Sequence, residues 1–389
     1  MLRTKELQDK LLHLVGWQQG FYEASVKVNE NLMQSESGLY FQQVHPLLTL
    51  ENLAAIAPDF SQDDADAFSN WLELKTRASI QKAVSRYYNE KVAGKVSSIL
   101  CENKVLFDGA GRLADTIKNQ GKIVGFELVP LRTKGVVTKI NRIGLQFTEP
   151  GEYIIYLFHS SQLAPIKQVK LTKTKKNSLE WFSLEDWLLP YAGANDAGGS
   201  WYICYLQTEL PENSKAISKS RDWSKGPCKG CAPSEFASWQ LWSKYLEVHP
   251  FTVPDAEYRD TLRSLWDISE MDYHYNTNYG LNLDITVGCD ITDFIIEQRN
   301  LFQEVISLQL AVDMLREFAF NPNVRTNRHS INVSRVDVLY ELDGDSSSLK
   351  RSGLNYQLDL AFKALSVATE GLDKVCLACK NNGVKYRTI

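Results

Sequence analysis

The sequence predicts an α+β protein, with a central antiparallel β-sandwich, jelly-roll-like, between N-terminal and C-terminal helical regions. Three observations predict it. Apolar residues recur at helical spacing in the first hundred residues and again after Asp290. Between Lys122 and Leu210, short strand-like runs alternate with breaks at Pro130, Gly135, Pro150, Gly151, Pro165, Gly198 and Gly199. The length of 389 residues exceeds what one hydrophobic core usually organises. The expected division is a helical region over 1–100, the sandwich over 101–213, a Cys-containing and aromatic-rich segment over 214–290, and a helical region over 291–389 that packs with the N-terminal helices.

The elements follow in chain order. "MLRTKELQDKLLHLVGW" places Leu7, Leu11, Leu14 and Val15 on one helical face and has neither the apolar run nor the cleavage site of a signal peptide. A helix of about thirty residues is expected from Ser61. Asp63, Asp64 and Asp66 complement its N-terminal dipole, Phe68, Trp71, Leu72, Ile80, Val84, Tyr87 and Tyr88 recur along it, and Gly94 stops it. The sandwich draws on "KIVGFELVPL", "VVTKINRIGLQF", "GEYIIYLFHSS", "PIKQVKLTKT", "SLEWFSL" and "GGSWYICYLQTEL". In the fourth of these, and just after it, Lys167, Lys170, Lys173, Lys175 and Lys176 read as protection of a sheet edge. After a Lys/Ser/Gly-rich loop, two helices separated at Pro250–Pro254 are expected, in a segment carrying Trp239, Trp242, Tyr245, Phe251, Tyr258 and Trp266. An extended stretch then runs from Tyr273 to Val287. Asp290 is the expected N-cap of one long helix reaching Phe318, and Gly371 the expected cap of another that starts at Ser352.

Composition limits the function classes. The chain is 44% apolar and 23% charged, as a folding protein is. A net charge of −4 argues against a protein that coats nucleic acid. The basic loop Lys215, Lys219, Arg221, Lys225 and Lys229 reads as a solvated loop. No apolar run reaches the ~20 residues that span a bilayer. None of the six His residues (His13, His45, His159, His249, His274, His329) lies in a metal-spaced pair. No nucleophile elbow, phosphate loop or zinc-protease motif is present. "ELDGDSSS" around Asp343 and Asp345 lacks the ligands of a calcium loop, and "DGAGRLAD" (108–115) lacks the dinucleotide pattern. Asp284, Asp290 and Asp293 could group as carboxylates, though the last two read better as helix capping. The expectation is a non-enzymatic protein.

Seven cysteines remain. Cys101, Cys204 and Cys289 sit in apolar surroundings and read as small buried hydrophobes. The other four form two Cys-x-x-Cys pairs, Cys228 with Cys231 in "GPCKGCAP" and Cys376 with Cys379 in "VCLACKNNGVKY". Two such turns can close a tetrahedral structural zinc site, which would clip the loop after the sandwich to the C-terminal tail. A redox pair, disulfides formed after release into an oxidising medium, and free thiols are the other readings.

Several stretches carry a family resemblance: "SESGLYFQQVHPLLTL" (35–50), "LFDGAGRLADTI" (106–117), "GFELVPLR", "IGLQF", "YLFHSS" and "VCLACKNNGVKY". Through them the chain resembles uncharacterised structural proteins of tailed phages and prophages of Bacteroidetes. The resemblance implies a virion part in the neck, tail or baseplate, or a morphogenesis protein. Such a part would assemble in the bacterial host cytoplasm as a homo-oligomer in contact with other virion proteins. The alternative is a carbohydrate-binding or adhesion module in which the sandwich presents Trp181, Trp187 and Trp201 in one plane.

Overall fold

The computed structural model describes residues 2–18, 26–57, 65–93, 96, 99–107, 116–130, 135–162, 164–190, 199–219, 222–253, 271–320, 335–344, 352–372 and 374–376. The chain is α+β and divides into two compact units. One comprises Ser97–Asp290 with the end of the chain around Cys376. The other comprises Leu2–Val96 with Ile291–Glu370.

The helical unit is built from both ends of the sequence. Its N-terminal part supplies α1 (Thr4–Leu11), α2 (Glu30–Met33), α3 (Leu50–Ala54) and α4 (Ala65–Tyr87), and α4 runs on into a π turn at Tyr88–Val92. Ser61, Asp63, Asp64 and Gly94 of the expected helix lie outside the described residues. Its C-terminal part is not the single long helix the periodicity predicts. It breaks into α6 (Thr292–Glu297), a 3-10 turn (Arg299–Phe302) and α7 (Gln303–Phe320), followed by α8 (Arg335–Asp343) and α9 (Leu354–Ala364).

The two parts close on each other along α4 and α7. Ile80, Ala83 and Val84 of α4 are buried, as are Val305, Leu308, Val312 and Leu315 of α7. Tyr87 packs edge-on against Phe302 at 5.3 Å. Polar ties line the rim: Ser79 donates to Asp313 at 2.9 Å, and Arg86 pairs with Asp359 at 2.6 Å while lying over the Phe362 ring. Exposed ion pairs contribute about 0–1 kcal/mol each, whereas each large buried apolar side chain contributes about 1.5–3 kcal/mol, so the apolar seam holds the two ends together.

Two helix boundaries depart from expectation. Asp290 is buried and its backbone N–H donates to Gly135 O. The N-cap of α6 is Ile291, which makes no side-chain cap bond. Helix α9 stops at Ala364, well before Gly371, because residues 365–368 extend to bind elsewhere. Val367 N donates to the Tyr87 hydroxyl, and Ala368 exchanges two hydrogen bonds with the Gln298 amide.

The β unit contains two antiparallel sheets. The first has the order β1 (Ile99–Val105), β10 (Leu281–Cys289), β3 (Val136–Phe147), β6 (Ser178–Pro190). The second has the order β5 (Lys167–Lys173), β4 (Gly151–His159), β7 (Trp201–Leu206), β2 (Ile123–Pro130), β8 (Leu246–Val253), β9 (Asp272–Tyr273). The lysine-rich β5 is the edge strand its composition predicts.

Register fixes which side chains meet. Leu281, Leu283 and Ile285 of β10 stand opposite Leu145, Ile143 and Ile140 of β3, on one face. Phe147 at the end of β3 meets Tyr153 of β4 at 4.4 Å and Tyr205 of β7 at 5.3 Å, so the sheets pack on each other as a sandwich does. The outer face of the larger sheet is also buried. Tyr156, Phe158, Tyr202, Cys204 and Phe251 form a second apolar cluster with Met271. At Gly125 in β2, an added Cβ would lie 2.1 Å from Ile203 O.

The segment 214–290 is not a separate domain, because it supplies β8, β9 and β10 to the sheets. Only the first of the two helices expected there forms, α5 (Pro233–Trp242). The region around Pro250 is a strand. Pro250 O accepts from His274 N, so its missing N–H faces the two-residue β9 and leaves the β2 ladder intact. Tyr258 and Trp266 lie outside the described residues.

Gly125→Ala should destabilise the β unit by about 3 kcal/mol, since the new methyl meets backbone that cannot yield. Urea unfolding monitored at the Trp residues measures it, and an unchanged midpoint would contradict the close approach of β2 to β7.

Candidate functional site

The structure commits one cysteine of the expected zinc site to a different bond. Cys376 is bonded to Cys289, at a Cα–Cα distance of 5.6 Å and a sequence separation of 87. Both are fully buried. A sulfur committed to a disulfide is not a thiolate ligand, so Cys376 does not join Cys228 and Cys231 on a metal ion here. Cys379 lies outside the described residues. Cys289 is a covalent partner and not a lone small hydrophobe. Cys101 and Cys204 are buried and not disulfide-bonded, and burial pushes the Cys101 thiol up. Among the described residues no group of three or more His, Cys, Asp or Glu is arranged to hold a metal ion.

Cys228 and Cys231 are exposed free thiols in a built turn. The turn is anchored upstream by Trp223, which is buried against Phe107 and Phe126 and whose backbone N–H donates to Tyr275 O at 2.8 Å. Gly226 then lies against the Trp239 ring, where a Cβ would come within 2.6 Å of ring carbon, so only glycine permits this approach. Ala232 N donates to Cys228 O at 3.0 Å, and Phe236 N donates to Ala232 O, leading into α5 with Pro233 at its start. Both sulfurs therefore sit at the N-terminal entry of a ten-residue helix, whose dipole favours negative charge.

The two Sγ atoms are 3.0 Å apart and share a hydrogen bond. When Cys228 is the thiolate, the Cys231 thiol and the backbone N–H groups of Cys231 and Gly230 point at it. These contacts hold the Cys228 thiol below its usual range, while the same pairing raises Cys231.

Other polar groupings in the β unit are accounted for structurally. The buried Glu127 carboxylate accepts from the hydroxyls of Tyr273 at 2.8 Å and Tyr202 at 3.3 Å, clasping β2, β7 and β9. Burial, reinforced by that carboxylate, pushes both phenols up, so they remain donors at neutral pH. Asp284 is buried and paired with Arg142, whereas Asp293 pairs with Arg3 in the helical unit. Asp343 accepts from Asn355, and Asp345 lies outside the described residues, as do 108–115, Arg221 and His329. Lys219 pairs with Glu235 and Lys225 with Asp222, which leaves the basic loop partly neutralised. Trp187 and Trp201 are buried and Trp181 lies beneath Arg142, so these three offer no aromatic platform.

A cavity of about 300 Å³ opens where segment 117–122 and the loop 274–279 meet β8. Lys118, Gln120, Lys122, Thr252, His274 and Asn276 line it, and the buried Thr252 hydroxyl makes no protein hydrogen bond. Such a space can hold ordered water or a small polar molecule.

Comparisons with protein-family models, with curated proteins and with solved structures find no match for this chain.

The Cys289–Cys376 bond should make unfolding sensitive to thiol chemistry. Replacing both residues with Ser should lower stability by about 2–4 kcal/mol, the usual contribution of a bridge across a long loop. Urea titration measures this. Alkylation of the denatured, unreduced chain should leave these two sulfurs unmodified, and their ready labelling would contradict the bond.

Proposed function

We propose that the chain is a non-enzymatic structural subunit that works by binding copies of itself and other proteins of a phage particle, in the neck, tail or baseplate. One observation carries the self-association. Helix α8 is apolar on two opposite faces. Val338 and Leu342 are 3% and 2% exposed, and they face the packing of α8 with α7 and α9. Val336 and Tyr340 are 73% and 56% exposed. At about 100° per residue, positions two apart point to nearly opposite sides of a helix. A helix apolar on both sides is normally covered on both. The face of Val338 and Leu342 is covered by α7 and α9 of the same unit, and the face of Val336 and Tyr340 is covered by another chain.

The magnitudes suit an assembly protein. Covering a Val and a Tyr contributes about 1.5–3 kcal/mol for each side chain, too little for a tight isolated dimer but enough when each subunit is held by several contacts in a ring. The discontinuous helical unit also suits this role, because a base closed by segments from before and after the sheets leaves the β unit to serve a separate task. The particle assignment rests on the resemblance described above. Assembly takes place in the host cytoplasm, and release exposes the chain to an oxidising medium in which Cys289–Cys376 persists.

Light scattering across a concentration series tests the reading. The wild-type chain should form species well above the 44.2 kDa monomer. Val336→Asp combined with Tyr340→Asp should return it to the monomer with unchanged far-UV circular dichroism. A wild-type chain that stays monomeric at every concentration overturns self-association. Its absence from purified particles overturns the virion role.

A further inference from the structure

We propose that the Cys228–Cys231 turn is a thiol–disulfide exchange site that reacts with small or protein disulfides, independently of the buried Cys289–Cys376 bond. Three features of the geometry converge on it. The two sulfurs are 3.0 Å apart, closer than unbonded sulfurs usually approach, and closing the bond requires only a small movement within one turn. Both thiols are exposed, whereas Cys101, Cys204, Cys289 and Cys376 are all buried. The turn is held on both sides, by Gly226 seated against Trp239 and by the Ala232 N to Cys228 O bond at the entry to α5, so the sulfurs are kept in register.

The roles of the two residues follow from the surrounding donors. Backbone N–H groups of Gly230 and Cys231 face Cys228 Sγ and stabilise it as the thiolate, while Cys231 holds its proton. Cys228 thiolate attacks one sulfur of an external disulfide, RS–SR. A Cys228–SR mixed disulfide forms and RS⁻ leaves, taking a proton from solvent. Cys231 then gives up its proton and attacks Cys228 Sγ, forming the Cys228–Cys231 bond and expelling the second RS⁻. In sum, the dithiol loses two electrons and two protons, and RSSR becomes two RSH.

The site is distinct in kind from the structural bridge. Cys289 and Cys376 are closed to solvent, and an external thiolate cannot reach them without unfolding. Cys228 and Cys231 are open in the folded chain and can cycle.

The experiment equilibrates the full-length native chain in glutathione redox buffers and reads the state of Cys228 and Cys231 by differential alkylation and peptide mass. Trp239 fluorescence serves as a second readout, because the ring lies against the same turn. The expected result is one reversible two-electron transition at Cys228–Cys231, with Cys289–Cys376 unchanged throughout. Cys231→Ser should trap a glutathione adduct on Cys228. Cys228→Ser should react with a disulfide reagent at least about tenfold more slowly than Cys231→Ser at neutral pH, as expected where one thiol is the stabilised thiolate. Equal rates for the two variants overturn the assignment of roles. Failure of the pair to close in any buffer, or a stoichiometric zinc ion whose chelation alone makes Cys228 and Cys231 reactive, overturns the exchange site.

Discussion

The packing of α4 against α7 is the constraint on which the rest of the structure depends. Each helix has partners in its own part of the sequence, α1 for α4 and α8 and α9 for α7, and the two also pack on each other across more than two hundred intervening residues. The entropy of ordering both segments is offset only when the two meet. The β unit therefore has to fold with chain crossings after Val96, Asp290 and Glu370 that remain compatible with that meeting. Its own closure is antiparallel throughout, with β10 returning beside β3 and β1. Long-range contacts of this kind slow folding but couple the two ends of the chain.

Much of the architecture was legible because its periods are simple. Alternation in "VVTKINRIGLQF" and "GEYIIYLFHSS" predicts β3 and β4, and the lysines of β5 mark an edge. The features that were not legible depend on partners distant in sequence. Pro250 reads as a break until β9 is known to flank it on the side where its N–H is missing. Gly371 reads as a cap until Gln298 and Tyr87 are seen drawing residues 367 and 368 out of the helical path. Asp290 reads as an N-cap until the backbone at Gly135 engages it. In each instance a local preference of about 1 kcal/mol or less gave way to tertiary hydrogen bonds and burial.

The cysteines divide along the same line. Spacing marks Cys228 and Cys231 as a pair, and their turn chemistry is local, so the sequence locates that site. Cys289 carries no such mark. It ends a fully buried strand, and nothing near it in the sequence points to Cys376. The spacing of Cys376 and Cys379 suggests a motif, whereas the fold brings Cys289 to Cys376. The turn beside α5 also gained significance only in three dimensions, where Trp239 and Gly226 hold it in one geometry.

The Cys289–Cys376 bond has a mechanical consequence. It joins the last residue of β10 to the C-terminal segment, so that α6, α7, α8 and α9 all lie on a covalent bight between the two sulfurs. A pull applied beyond Cys376 passes through the bond directly into β10, which is hydrogen-bonded along both edges, and bypasses the helices. The helical segments between the two sulfurs thereby stay slack while the strand takes the strain.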